Sequence, residues 1–152
     1  MKKLLIFSAV TLLVLTACNK EKRYSNRLMK GETWRVLDIT IDGSTSAFSG
    51  EWQITTDVDI YDSVPRLQWI DNNQDAVCEW QFQAKGKSFQ LNYYQLCEEP
   101  TGATLNDLDY FANDISGKYD VGTHKKKKMS FVSMNTIGFP GQKVEISIDR
   151  ID

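Results

Sequence analysis

The chain has 152 residues and a formal net charge of -2, with 18 Lys and Arg against 20 Asp and Glu. That length suits one domain with its own core. The mild acidity excludes a general electrostatic attraction to nucleic acid or anionic lipid.

In chain order, Lys2 and Lys3 precede an apolar run from Leu4 to Leu15, and the small residues Thr16 and Ala17 lead into Cys18. This is the pattern of a secretory signal. The run is 12 residues long, whereas a helix needs about 20 to span a bilayer. Leu15-Thr16-Ala17-Cys18 resembles the bacterial lipobox. The resemblance implies removal of residues 1–17, diacylglycerol on the Cys18 thiol and acylation of the new amino group, with palmitate among the chains. An ordinary signal peptide with a chance cysteine is the plainer alternative. Two or more acyl chains make a stable anchor. Loss of Lys2 and Lys3 with residues 1–17 takes the formal charge from -2 to -4. Residues 18–30 are polar and read as a lipidated N-terminus and tether, and residues 31–152 as the folded domain. Asn19 at the second mature position, in place of Asp, fits outer-membrane sorting.

The domain carries a period-2 pattern along most of its length. Leu37, Ile39 and Ile41 alternate with Asp38, Thr40 and Asp42 before a turn at Gly43. Phe48, Gly50, Trp52 and Ile54 form a second run, and Val58 and Ile60 a third, which Pro65 breaks before Leu67 to Ile70. After a turn at Asn72-Asn73, Cys78, Trp80, Phe82 and Ala84 alternate with polar residues, and Phe89, Leu91 and Tyr93 do so again beyond Lys85-Gly86-Lys87-Ser88. Thr104 to Asp114 is the only stretch with a helical pattern, with Thr104 or Asn106 as its cap. Strand signals return over 116–121, 129–134 and 144–148. Seven to nine short strands without a long amphipathic helix indicate an all-β antiparallel fold. An up-and-down barrel of about eight strands is favoured over a β-sandwich because closure removes edge strands.

With Cys18 committed to lipid, Cys78 and Cys97 form an even pair in an oxidising compartment, where disulfides persist. A two-residue turn at Gly86-Lys87 would set Cys78 opposite Gln95, leaving Cys97 one diagonal step away. That is about 7 to 8 Å, long for a relaxed bridge, so a disulfide would need a bulge or a longer turn. Two separate buried thiols are the alternative.

Leu28-Met29-Lys30-Gly31-Glu32-Thr33-Trp34-Arg35-Val36 resembles the opening of the small lipocalin-like lipoproteins of Bacteroidota-type bacteria, as does the later stretch Ile115 to Val121 with the arm from Lys125 to Phe131. The resemblance implies a Trp that closes the bottom of the barrel. The spacing departs from that group's Gly-x-Trp, since two residues separate Gly31 from Trp34.

Catalytic chemistry has little to work with. His124, the one histidine, lies among Lys125 to Lys128, reads as a solvent-exposed loop residue and lacks the companions of a zinc site. Asp57, Asp59 and Asp62 lack the Gly and terminal Glu of an EF-hand loop, and Asp107, Asp109 and Asp114 form a similar cluster. No metal or cofactor is expected, and no nucleophile paired with a base is visible. The aromatic side chains Trp52, Trp69, Trp80, Phe82, Phe89 and Tyr93 are the candidate lining of an apolar site. The sequence thus points to a non-enzymatic, lipid-anchored envelope protein of the outer membrane. Its domain would bind a small apolar molecule or lipid, or, with a packed core, serve as a structural or adaptor subunit of an envelope protein complex. Nucleic acid is not an expected partner.

Overall fold

A computed structural model describes residues 20–55, 64–94 and 104–151. Residues 20–29 are helical (α1), and α2 spans Asp107–Asp114. The strands are β1 (Thr33–Ile41), β2 (Ser44–Thr45), β3 (Glu51–Thr55), β4 (Arg66–Asp71), β5 (Gln74–Gln83), β6 (Ser88–Tyr93), β7 (Gly117–His124), β8 (Lys128–Asn135) and β9 (Pro140–Arg150). All neighbours pair antiparallel, and β1 also pairs with β9 from Ile41↔Val144 to Trp34↔Arg150. That last ladder closes β1 and β3–β9 into an eight-stranded up-and-down barrel, with β2 as an extra strand on β1. The barrel expected from the alternation is therefore the fold, and its size is that of a small lipocalin-like barrel.

Alternation sets which residues enter the core. Trp52 and Ile54 of β3, Leu67 and Trp69 of β4, Cys78, Trp80 and Phe82 of β5, and Ile146 and Ile148 of β9 all point inward and are buried. Among the described residues every buried core side chain lies between Leu28 and Ile148. In β1 a register shift between Val36 and Asp38 leaves Leu37 exposed and sends Ile39 into the core.

A helix covers each mouth. At one end, α2 starts from Asn106, whose side chain accepts from the Asp109 backbone while Asp109 Oδ2 accepts from the Asn106 N–H. This capping box satisfies two otherwise orphaned donors. The helix then lays Leu108, Phe111 and Ala112 onto the barrel, with Phe111 stacked on Phe48 at 4.5 Å.

The other mouth carries a correction. Residues 20–30 read as a polar tether, yet 20–29 form α1, and its Leu28 is fully buried. The reason is sparse but sufficient patterning. Tyr24 and Leu28 are four apart and share one helical face, and Met29 packs beside them against the core, so three side chains dock the helix while residues 20–23 and 25–27 stay polar. Leu28 O accepts from Trp34 Nε1 at 2.9 Å, which ties the helix to the first residues of β1. The Trp implied to close the barrel floor does lie there, fully buried.

The hairpin of β5 and β6 also differs from expectation. Gln83 pairs with Ser88 and Cys78 with Tyr93, so the connection is Ala84 to Lys87 and not two residues. Ala84, Lys85 and Gly86 all take positive φ, at 51°, 62° and 77°, a turn that the residue types Ala and Lys do not announce. The new register moves the partner of Cys78 from Gln95 to Tyr93, farther from Cys97. Cys78 is a buried free thiol; Cys97 lies outside the described residues.

Candidate functional site

The interior gathers most of the expected apolar lining. Trp52, Trp69, Trp80, Phe82 and Phe89 are all 3 % exposed or less, because each falls on an inward strand position. They touch one another in two groups, Trp52 with Trp69 and Trp80 with Phe82 and Phe89. Phe89 stacks on Phe131 at 4.3 Å between centroids, Phe82 lies 5.0 Å from Phe89, and Trp52 meets Trp69 edge-on at 6.3 Å. Tyr93 is only partly buried, at the end of β6. Trp69 Nε1 donates to Ser49 O at 2.5 Å, whereas Trp52 Nε1 and Trp80 Nε1 have no hydrogen-bond partner among the described residues. Tyr119, the aromatic of the Ile115 to Val121 stretch, donates its buried hydroxyl to Ile115 O.

His124 is the second correction. It was expected in solvent, but it ends β7 beneath α1, half-buried, with Tyr24 stacked on its ring at 3.4 Å and 12°. Arg27 donates to His124 Nδ1 at 2.9 Å and to its carbonyl at 3.2 Å. An arginine has no acceptor, so that nitrogen carries no proton. Burial first, and the Arg27 charge second, push the imidazole down to about 4. The groups responsible are the packing and the α1 arginine, not the neighbouring lysine run. The signal missed in the sequence was the Tyr24-x-x-Arg27 spacing, which sets both side chains over one patch of the barrel.

Gly86 supports the same contact. A Cβ there would lie 2.8 Å from the Tyr24 ring, so the positive-φ glycine of the hairpin turn is also the seat of the helix aromatic. Glu21 accepts from the Lys85 backbone N–H.

Two open grooves flank α1. One, of about 530 Å³, is walled by Lys22, Arg23, Arg27, Lys30, Lys126 and Arg150 with Asn26. The other, of about 520 Å³, runs past Tyr24 and His124 and carries Lys20, Lys85 and Lys87. No Asp or Glu is among the described residues lining either. Of this concentration the sequence marks only the Lys125 to Lys128 run, which reads as a solvated turn before it reads as an anion contact; the other cations come from α1, the β5–β6 turn and the end of β9.

Other candidates fall elsewhere. Asp57, Asp59, Asp62, Cys18 and Cys97 lie outside the described residues. Asp109 is used as a helix cap, and Asp114 lies against Gly138. Among the described residues no three His, Cys, Asp or Glu side chains are grouped to hold a metal ion, and no helix is long and apolar enough to cross a membrane. Burial, with Asp109 second, raises the Cys78 thiol to about 12. No family model, curated protein or solved structure matches the chain.

Proposed function

We propose that this chain is a cell-envelope lipoprotein of the lipocalin-like kind, anchored at the outer membrane by acyl chains on Cys18. Its packed barrel acts without catalysis, as a structural or adaptor subunit of an envelope protein complex. The observation that carries the reading is the interior, where Trp52, Trp69, Trp80, Phe82 and Phe89 fill the barrel against one another. An eight-stranded barrel is just wide enough either to be filled by side chains or to hold one small ligand, and these contacts favour filling. Recognition then falls to the outer surface. Tyr110 and Ile137 are 59 % and 64 % exposed at the α2 end, an apolar presentation suited to a protein partner. A non-enzymatic role is supported by two reactive side chains among the described residues being withdrawn: Cys78 is buried with a raised pKa, and His124 Nδ1 is occupied by Arg27.

A second reading, a small apolar molecule or lipid held within the barrel, draws on one feature. Trp52 and Trp80 offer two buried indole N–H groups with no described acceptor, and buried donors normally find one. Native mass spectrometry of the protein released from its host membrane separates the two. The packed-barrel reading expects the mass of the lipidated chain, alone or with a protein partner. A stoichiometric small molecule that survives release and is lost on unfolding would overturn it in favour of the second.

A further inference from the structure

Although the chain is acidic overall, half of its 18 Lys and Arg line the two grooves beside α1. We infer that this end of the barrel is a docking face for an anionic lipid surface, with the α1 cations and Lys85, Lys87 and Lys126 lying against phosphate headgroups. The inference rests on the lipid-anchor reading for its choice of occupant, and on the charge distribution for the chemistry.

Three observations converge. First, the cations are contributed by separate elements, namely α1, the β5–β6 turn, the β7–β8 turn and β9, and the barrel brings them to one mouth. Strand direction fixes this: β7 runs toward His124 and β9 toward Arg150 at the end where β1 begins, as the pairs Trp34↔Arg150 and His124↔Met129 require. Second, Lys20, Lys22, Arg23, Lys30, Lys85, Lys87 and Lys126 are part-exposed or exposed, so their charges reach solvent without unfolding anything. Third, Asn19 alone separates Cys18 from Lys20, so the two lie at most about 7 Å apart along extended chain. An acylated Cys18 would therefore hold the start of α1 within about a Debye length of the headgroups. Basic residues at that distance each contribute roughly 1 kcal/mol toward an anionic leaflet. The opposite end, capped by α2 with its acidic first turn of Asp107 and Asp109, would face away from the bilayer, presenting Tyr110 and Ile137.

The test uses the chain from Asn19 onward, which contains every buried core side chain among the described residues and lacks the anchor, so its outcome is independent of whether Cys18 is lipidated. Co-sedimentation is measured with vesicles of phosphatidylcholine alone and with phosphatidylglycerol added, at low and at physiological salt. Binding to the anionic vesicles only, weakened by salt, is expected. Lys22→Gln with Lys126→Gln should reduce partitioning roughly 30-fold, from about 1 kcal/mol for each surface lysine removed. Lys118→Gln with Lys143→Gln, an equal change of charge at exposed positions outside both grooves, should reduce it far less. The inference is overturned by no binding to anionic vesicles at low salt, by equal losses in the two variants, or by displacement from the vesicles by a DNA duplex at equal phosphate concentration.

Discussion

The indole of Trp34 lies on Gly31 so closely that a Cβ at position 31 would come 2.2 Å from Nε1 and 2.5 Å from Cε2. Neither partner has room to yield, since Trp34 is fully buried and its Nε1 is held by Leu28 O. Gly31→Ala should therefore destabilise the domain by about 1 to 3 kcal/mol, the usual range for overpacking. Urea unfolding followed by tryptophan fluorescence checks this. A variant as stable as the parent would mean that the floor of the barrel is looser than these contacts describe.

His124 gives the α1 end a pH dependence whose sign can be worked out. Its folded pKa is pushed down to about 4 by burial, by Arg27 and, less, by Arg23, while the unfolded value is about 6.5. Between those values the unfolded chain binds a proton that the folded chain refuses, so stability rises with pH. The contribution is complete above about pH 6.5, is lost as pH falls toward 4, and changes no further below that. At this half-exposed site solvent screening reduces it to about 1 to 2 kcal/mol. Denaturant midpoints across pH 4 to 7, compared with His124→Phe, should show a slope in the parent that the variant lacks. Equal slopes would remove His124 from the account. Because the ring is stacked under Tyr24, acid should also loosen α1, read as lower amide-exchange protection over residues 20–29.

Much of this fold was legible because a barrel strand writes itself as alternation. Trp52 and Ile54, Leu67 and Trp69, and Ile146 and Ile148 each enter the core two residues apart, as period-2 patterning requires. The Asn106 cap was legible for a similar local reason. The α1 helix was not, since only Tyr24, Leu28 and Met29 mark its inner face, and tertiary packing, not composition, makes it a structural element. The cationic mouth escaped notice for a topological reason: Lys22, Lys85 and Lys126 are far apart in sequence and meet only once the strands have closed. The register of the β5–β6 hairpin turned on positive φ at Ala84 and Lys85, which residue identity does not signal.

That register bears on the thiols. With Cys78 paired to Tyr93 and free, alkylation of the folded chain from Asn19 onward should leave Cys78 unmodified, since the thiolate that reacts is suppressed by burial and a pKa raised to about 12. Denaturation without reductant should expose it to quantitative labelling. A mass two daltons below the reduced chain, with no thiol labelled after denaturation, would instead establish a Cys78–Cys97 bridge, and the segment after Tyr93 would have to return to the barrel wall at Cys78.

The claim on which the functional account turns is attachment at Cys18, and metabolic labelling tests it most directly. Cells expressing the full chain are grown with radiolabelled palmitate and the protein is immunoprecipitated, alongside a Cys18→Ala variant. The account predicts label in the parent and none in the variant. Label that persists undiminished in Cys18→Ala, or its absence from the parent, would contradict it.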